Sequence, residues 1–247
     1  GSGIAGIAAS IRLAIKGYHV EVFEANAYPG GKLSEIEIEG YRFDAGPSLF
    51  TLPEQVDELF RLAGKRPENY FAYEKLDVTC QYFWEDGTNL KAYADLDQFA
   101  EEVQTKLGEP ASSIRNALRQ SAFIYDSLAP LFMNRSLHKL DTWTNRQAMK
   151  SYLKMGKLGI FSTMNEANRK QFLHPKLVQL FNRYATYNGS NPFETPATLN
   201  IIPHLEFNIG AFFPKKGMHD ITQSLYKLSR ELGVTYHFGH KVEKVLV

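Results

Sequence analysis

Apolar residues fall at helical spacing from the start of the chain. Ile4, Ile7, Ile11 and Ile15, with Ala8 and Ala14, predict one buried helix face, and Gly17 is placed to stop that helix. The run Tyr18-His19-Val20-Glu21-Val22-Phe23 reads as a strand ending in Glu24. Ile36 and Ile38 then alternate with Glu residues up to a turn at Gly40, which predicts a short hairpin. From 73 to 94 the period is two: Val78, Cys80, Tyr82 and Trp84 alternate with polar residues, Asp86-Gly87 turns, and Leu90 to Tyr93 returns. The period then lengthens. Phe99, Val103 and Leu107 predict a helix stopped by Gly108, and 111–129 and 143–157 read as further helices. Pro175 opens another, with Leu177, Leu180, Phe181 and Tyr184 on one face. Pro192 and Pro196 precede a last apolar helix through Leu199, Ile202 and Leu205, which Pro203 kinks or ends.

Beyond Ile209 the α/β pattern returns. Ala211-Phe212-Phe213-Pro214 reads as a strand end; Ile221, Leu225, Leu228 and Leu232 mark a helix face closed by Gly233; Val234 to Phe238 is a strand, and Lys241 to Val247 begins another. The fold expected is α/β, interrupted by a mixed, mainly helical section, with boundaries at 1–72, 73–208 and 209–247.

Composition narrows the function classes. The 247 residues carry a net charge of +1, which offers no electrostatic case for nucleic acid. A hydrophobic content of 44% supports an ample core. One cysteine, Cys80, rules out an intramolecular disulfide framework and suits a reducing compartment. No apolar run is long enough to span a bilayer. Seventeen Phe and 13 Tyr suit an apolar cavity as well as an aromatic core. The seven histidines show no metal-binding spacing; His237 and His240, near a strand end, are expected on opposite faces.

The candidate chemistry lies in the first residues. Gly1-Ser2-Gly3-Ile4-Ala5-Gly6, then a helix, a strand and an acid eighteen residues after Gly6, make a dinucleotide fingerprint of Rossmann type. Gly1 serves a sharp turn, Gly3 lets a pyrophosphate approach the backbone, and Gly6 lets the helix pack on the sheet. The free N–H groups of the helix start, at Ile4, Ala5 and Gly6, suit an anion. Glu24 suits ribose hydroxyls and repels a 2′-phosphate, which favours FAD or NAD over NADP. The strand that precedes such a turn is not in the sequence, and Val247 falls inside a strand-like run, so the chain reads as a piece clipped at both ends.

Further motifs follow: Pro29-Gly30-Gly31-Lys32, then Gly40-Tyr41-Arg42-Phe43-Asp44-Ala45-Gly46-Pro47-Ser48. With the opening fingerprint, these segments resemble the bacterial phytoene desaturase family, FAD-dependent carotenoid desaturases related to the amine oxidases. The stretch Ala45 to Thr51 resembles members acting later in the carotenoid pathway, such as hydroxycarotenoid 3,4-desaturases. Tyr184 to Pro192 resembles a Y-x-x-Y-x-G-x-x-P stretch of the family's substrate domain. The resemblance implies a Rossmann-like FAD domain of the glutathione-reductase and amine-oxidase type, interrupted by the substrate domain. It implies that Gly30, Gly31 and Lys32 line the ribitol–pyrophosphate stretch, that Gly46, Pro47 and Ser48 lie near the flavin ring, and that the strand at Val242 meets the adenine edge. It implies an apolar isoprenoid or carotenoid substrate that loses a hydride to flavin and a proton elsewhere, in a cytoplasmic protein peripheral on the inner face of the membrane. The sequence departs from the family at Pro214-Lys215-Lys216-Gly217-Met218, where Lys216 replaces a glycine.

No catalytic base stands out: Arg42, Asp44 and Ser48 sit near the implied ring position, and Arg42 and Asp44 equally suit a structural ion pair. Lys150, Lys154 and Lys157 share one helical face and Met149, Tyr152, Leu153 and Ile160 another, a pattern that suits either a bilayer interface or an ordinary surface helix. Another flavin amine-oxidase-like enzyme, a carotenoid isomerase, or a non-catalytic polyene-binding piece stay open as alternatives. Oligomeric state is not legible.

Overall fold

The structure, a computed structural model, describes residues 1–132, 135–154, 156 and 158–246. It divides into two compact units: one formed by Gly1–Leu76 and Ala211–Val247, the other by the intervening Asp77–Gly210.

The first unit is α/β. Helix α1 (Ile4–Ile15) leads into β1 (Glu21–Glu24), and the hairpin β2 (Ser34–Ile38) and β3 (Tyr41–Ala45) follows. Helix α2 (Glu54–Leu62) precedes β4 (Tyr73–Lys75). The second stretch of chain adds β7 (Phe212–Pro214), α9 (His219–Glu231) and β8 (Thr235–Phe238). β8 pairs in parallel with β1, from Glu21↔Thr235 to Glu24↔Phe238, and β7 pairs antiparallel with β4. Helix α1 buries Ile7, Ser10 and Ile11, and the two isoleucines pack in one core with Leu59, Phe60, Leu225 and Leu228. Ile15, expected on the buried face, is exposed: the helix turns it past the edge of the core.

The second unit pairs β5 (Val78–Phe83) with β6 (Asn89–Tyr93) and is otherwise helical: α3 (Leu96–Leu107), α4 (Ala111–Phe132), α5 (Leu140–Thr144), α6 (Arg146–Tyr152), α7 (Met164–Gln171) and α8 (Pro175–Asn182). Gly108 takes the left-handed conformation that ends α3. The aromatic and aliphatic faces read from sequence (Phe99 and Val103 of α3, Leu177, Leu180 and Phe181 of α8, and Tyr184) meet in a single core. Buried Glu109 accepts from the N–H groups of Leu173 and His174 at 2.7–3.2 Å and so satisfies the donors ahead of α8.

Three expectations change. The helix expected over 143–157 is interrupted at Asn145, which is extended. Its side chain donates to the Asp141 and Thr142 carbonyls of α5 and accepts from the Ala148 N–H of α6. The apolar helix through Leu199 becomes a 3₁₀ turn, Ala197–Ile201, and a π-helical turn, His204–Ile209. Pro203, between them, lacks the donor that a continuous helix needs, and the Ser121 hydroxyl bridges the break by donating to the Asn200 carbonyl and accepting from the His204 N–H. Residues 241–246 form no strand, because their backbone meets no ladder partner among the described residues. Of the basic face read at Lys150, Lys154 and Lys157, Lys157 lies outside the described residues, as do Met155 and Val247.

Candidate functional site

The first unit gathers its glycines around the start of α1. Gly3 is the N-cap, extended at φ −63° and ψ 165°; no side chain caps the helix and no acid lies in its first turn. The N–H groups of Ile4, Ala5 and Gly6 therefore face no protein carboxylate, the arrangement an anion needs. The loop carrying Gly30 and Gly31 runs alongside. Gly30 donates its N–H to the Ser2 carbonyl at 2.8 Å, and Gly3 and Gly30 form a parallel bridge. Gly31 has φ +59°, and a Cβ there would lie 3.4 Å from the Gly3 Cα; around Gly3 itself there is open space. At Gly6 a Cβ would come closer than 3.0 Å to the Gly1 carbonyl. Two backbone segments thus approach to a separation that side chains would fill, a cradle that fits a dinucleotide.

Glu24 closes the cradle at the end of β1. Its carboxylate is buried. Oε2 accepts from the Ser2 N–H at 2.7 Å and the Ser2 hydroxyl at 2.9 Å, while Oε1 accepts from the Asn26 N–H at 2.9 Å. Burial raises its pKa, but these donors outweigh burial and leave it below the usual carboxylate value. Glu24 is therefore held as an anion with three donors in place, and of these the Ser2 hydroxyl is the one able to rotate away. Ser2, unremarked in the sequence, is fully buried and fixes the acid.

The other site residues fall nearby in the same unit. Lys32 is exposed. Gly46, at φ +99°, passes so close to the Lys32 carbonyl that a Cβ would come within 3.0 Å of it, while Pro47 and Ser48 are exposed beyond. Val242, 55% exposed, shares a shallow groove with Gly1, Gly6, Glu21 and Phe23. His237 and His240 lie together, against expectation, their rings 5.9 Å apart and both near Phe23; His237 stacks on that ring and meets Glu21 at 2.9 Å. The described residues contain no cluster able to hold a metal.

Asp44 ties the hairpin to α9. It pairs with Arg42 at 2.9 Å and accepts from the N–H groups of Met218 at 2.9 Å and His219 at 3.3 Å. Burial raises its pKa, yet the Met218 N–H, the guanidinium and the His219 N–H together leave it below the usual value. Arg42 and Asp44 thus form a structural pair, and Arg42 also reaches Glu35 at 3.0 Å. Gly217, at φ +91°, lies against this pair so closely that a Cβ would strike both side chains. Lys216 points into solvent; burial raises the Asp220 pKa, and the Lys216 charge opposes that rise. One turn into α9, Thr222 abuts Gly30 and donates to the Leu33 carbonyl at 3.0 Å.

The chain is 49% identical to a 1-hydroxycarotenoid 3,4-desaturase of Flavobacterium sp. (strain P99-3), over 99% of this chain and 50% of that protein. It is 31% identical to a carotenoid 3,4-desaturase of Haloarcula japonica, over 99% of this chain and 49% of the relative. It is 30% identical to a hydroxyneurosporene desaturase of Rubrivivax gelatinosus, over 100% and 47%. The chain thus spans about half the length of the curated relatives it matches. Among solved structures, putrescine oxidase bound to putrescine superposes with a TM-score of 0.58 at 14% identity, over 96% of this chain and 49% of that one. An oxidoreductase from Methanosarcina mazei gives 0.56 at 15% identity, over 100% and 52%. These distant structures establish the fold, and the family model for flavin containing amine oxidoreductases matches residues 4–247. A glycine cradle at a helix start, an anchored acid at a strand end and that match over nearly every residue lead to one conclusion: the chain belongs to the flavin-containing amine oxidoreductase family.

Proposed function

We propose that this chain is the FAD-holding and substrate-facing part of a carotenoid desaturase. The observation that carries the reading is the cradle, where Gly3 and Gly31 meet above the uncapped start of α1 and Glu24 stands at the strand end. The relatives' names supply the substrate class, a carotenoid that in two of them bears a hydroxyl.

On this reading the N–H groups of Ile4, Ala5 and Gly6 hold the pyrophosphate, with Gly30, Gly31 and Lys32 beside it. Glu24 accepts from the adenosine ribose once the Ser2 hydroxyl turns aside, Val242 borders the adenine, and Gly46, Pro47 and Ser48 lie toward the flavin ring. Bound flavin supplies an acceptor for two electrons. The protein's own task is to hold an apolar chain in place and keep water out, by shape and aromatic contact. The first 76 residues with 211–247 would be the FAD-binding domain, and 77–210 the substrate domain.

A polyene dissolves in lipid, so the enzyme has to meet a bilayer. No helix among the described residues is long and apolar enough to cross one. We place the contact on α5 and α6, where Leu140 and Leu153 are almost fully exposed beside the basic residues Lys139, Arg146 and Lys154, on a protein peripheral to the inner face of the cell membrane.

Purified full-length protein is expected to be yellow with a flavin spectrum, and its gene, placed in a carotenoid-producing host, to add double bonds to an accumulated intermediate. Colourless protein, or no new double bond in any pigment, defeats the reading. Leu153→Glu is expected to reduce co-sedimentation with anionic vesicles; unchanged binding removes the membrane assignment for this face.

A further inference from the structure

The second unit buries an ionic network that no step of the desaturase reading uses. Glu206, on the π-helical turn, is 1% exposed. Its two oxygens accept from the hydroxyls of Tyr184, at 2.8 Å, and Tyr187, and from the Arg183 guanidinium at 3.2 and 3.4 Å. Each oxygen thus has two donors, and the charges of Arg183 and Glu206 cancel. Arg183 also lies over the Tyr184 ring at 4.6 Å and the Tyr82 ring at 5.6 Å.

Two atoms of this assembly are left over. The Arg183 Nε and the Tyr82 hydroxyl are both buried, and neither has a hydrogen-bond partner. The neighbouring Cys80 thiol donates to the Gln81 carbonyl at 3.7 Å, and its sulfur is only a weak acceptor near the Tyr82 hydroxyl. A buried donor left unmet is costly, and unmet donors are rare in native structures. Both residues line one groove of about 230 Å³, with Phe83, Trp84, Gln179 and Leu180 completing its walls. The Tyr82 and Trp84 rings lie near parallel, 22° apart with centroids at 6.0 Å. The Trp84 indole N–H is already committed to Gln179 at 2.7 Å, which fixes that wall.

A groove with stacked aromatic walls suits a flat conjugated chain. The unmet polar groups of its lining residues, one N–H donor and one phenol, lie just behind its surface, with no net charge because Glu206 neutralises Arg183. That set suits a neutral oxygen rather than an anion. We propose that this groove is the polar end of the substrate site: it takes the hydroxyl-bearing end of a polyene, whose oxygen accepts from Arg183 Nε and exchanges a hydrogen bond with Tyr82. The proposal rests on the carotenoid reading above and adds the residues that choose between oxygenated and hydrocarbon ends.

The test is equilibrium binding of two polyenes of equal conjugation, one with a terminal tertiary hydroxyl and one a plain hydrocarbon. Binding is read by quenching of tryptophan emission in the purified protein. Wild type is expected to prefer the hydroxylated polyene by roughly 10-fold or more, since one of its two hydrogen bonds comes from a charged group. Tyr82→Phe removes a hydroxyl that has only the weak Cys80 sulfur beside it in the fold. It is expected to reduce the preference about threefold or more while keeping hydrocarbon affinity, and Trp84→Ala to weaken both ligands alike. Equal binding of the two polyenes by wild type, or a preference undiminished in Tyr82→Phe, overturns the inference while leaving the carotenoid reading intact. Failure to bind either polyene overturns both.

Discussion

Asp44→Ala tests whether a single carboxylate couples the hairpin to α9. The side chain accepts from two backbone N–H groups, at 2.9 and 3.3 Å, on Met218 and His219, which are themselves buried. Losing a helix-capping acceptor costs about 0.5–2 kcal/mol, and each buried donor left unmet about 1–3 kcal/mol. Because these terms overlap, a loss of roughly 2–4 kcal/mol is expected. Asp44→Asn keeps one acceptor oxygen and should lose less. Arg42→Ala breaks only exposed ion pairs and should cost at most about 1 kcal/mol. Urea unfolding followed by circular dichroism gives all three. The pH dependence adds a second reading. The folded-state pKa of Asp44 lies below the unfolded value of 3.8, so its stabilisation is complete above that value and is lost as pH falls through the folded pKa. The alanine variant should therefore show a shallower loss of stability on the acid side. A change under about 0.5 kcal/mol for Asp44→Ala, or an acid limb identical to wild type, would refute the coupling.

Gly6→Ala should displace the start of α1, since its Cβ meets the Gly1 carbonyl, and should lower both the melting temperature and flavin affinity, the latter by about tenfold or more; unchanged flavin titration would remove the cradle as the cofactor site. Glu109→Ala strands the Leu173 and His174 N–H groups in the second unit and should cost about 2–3 kcal/mol, with Glu109→Gln milder because it keeps an acceptor. Equal melting temperatures for wild type and Glu109→Ala would refute that account.

What could be read from sequence was local. The fingerprint from Gly1 to Glu24 fits within one helix and one strand, so spacing alone places its parts. The hairpin through Gly40, the stop at Gly108 and the start at Pro175 are likewise set by residues within one turn of one another. What escaped depends on partners far along the chain or on single side chains. Nothing near Asp44 announces that it caps a helix beginning at His219, and the Ser2 position of the fingerprint tolerates many residues, so its hold on Glu24 needed coordinates. Helices α2 and α7 went unread, the second because its residues are polar and only the Thr163–Glu166 capping box marks its start. The strand expected beyond Lys241 has the right residues and no ladder partner among the described residues, and the pattern carries no information about neighbours.

The parallel register of β1 with β8 carries a consequence for how the protein is made. Glu21 meets Thr235, and Gly30 rests against Thr222, across the whole stretch from 77 to 210. A ribosome adding about 5–20 residues per second needs roughly 7–27 s to traverse that stretch. Throughout that time the glycine loop, Ile7 and Ile11 have emerged without α9 or β8 to cover them, while the contiguous second unit has all its own residues at hand. The order of synthesis thus lets the second unit complete its own core first, and the first unit closes only when α9 and β8 have followed.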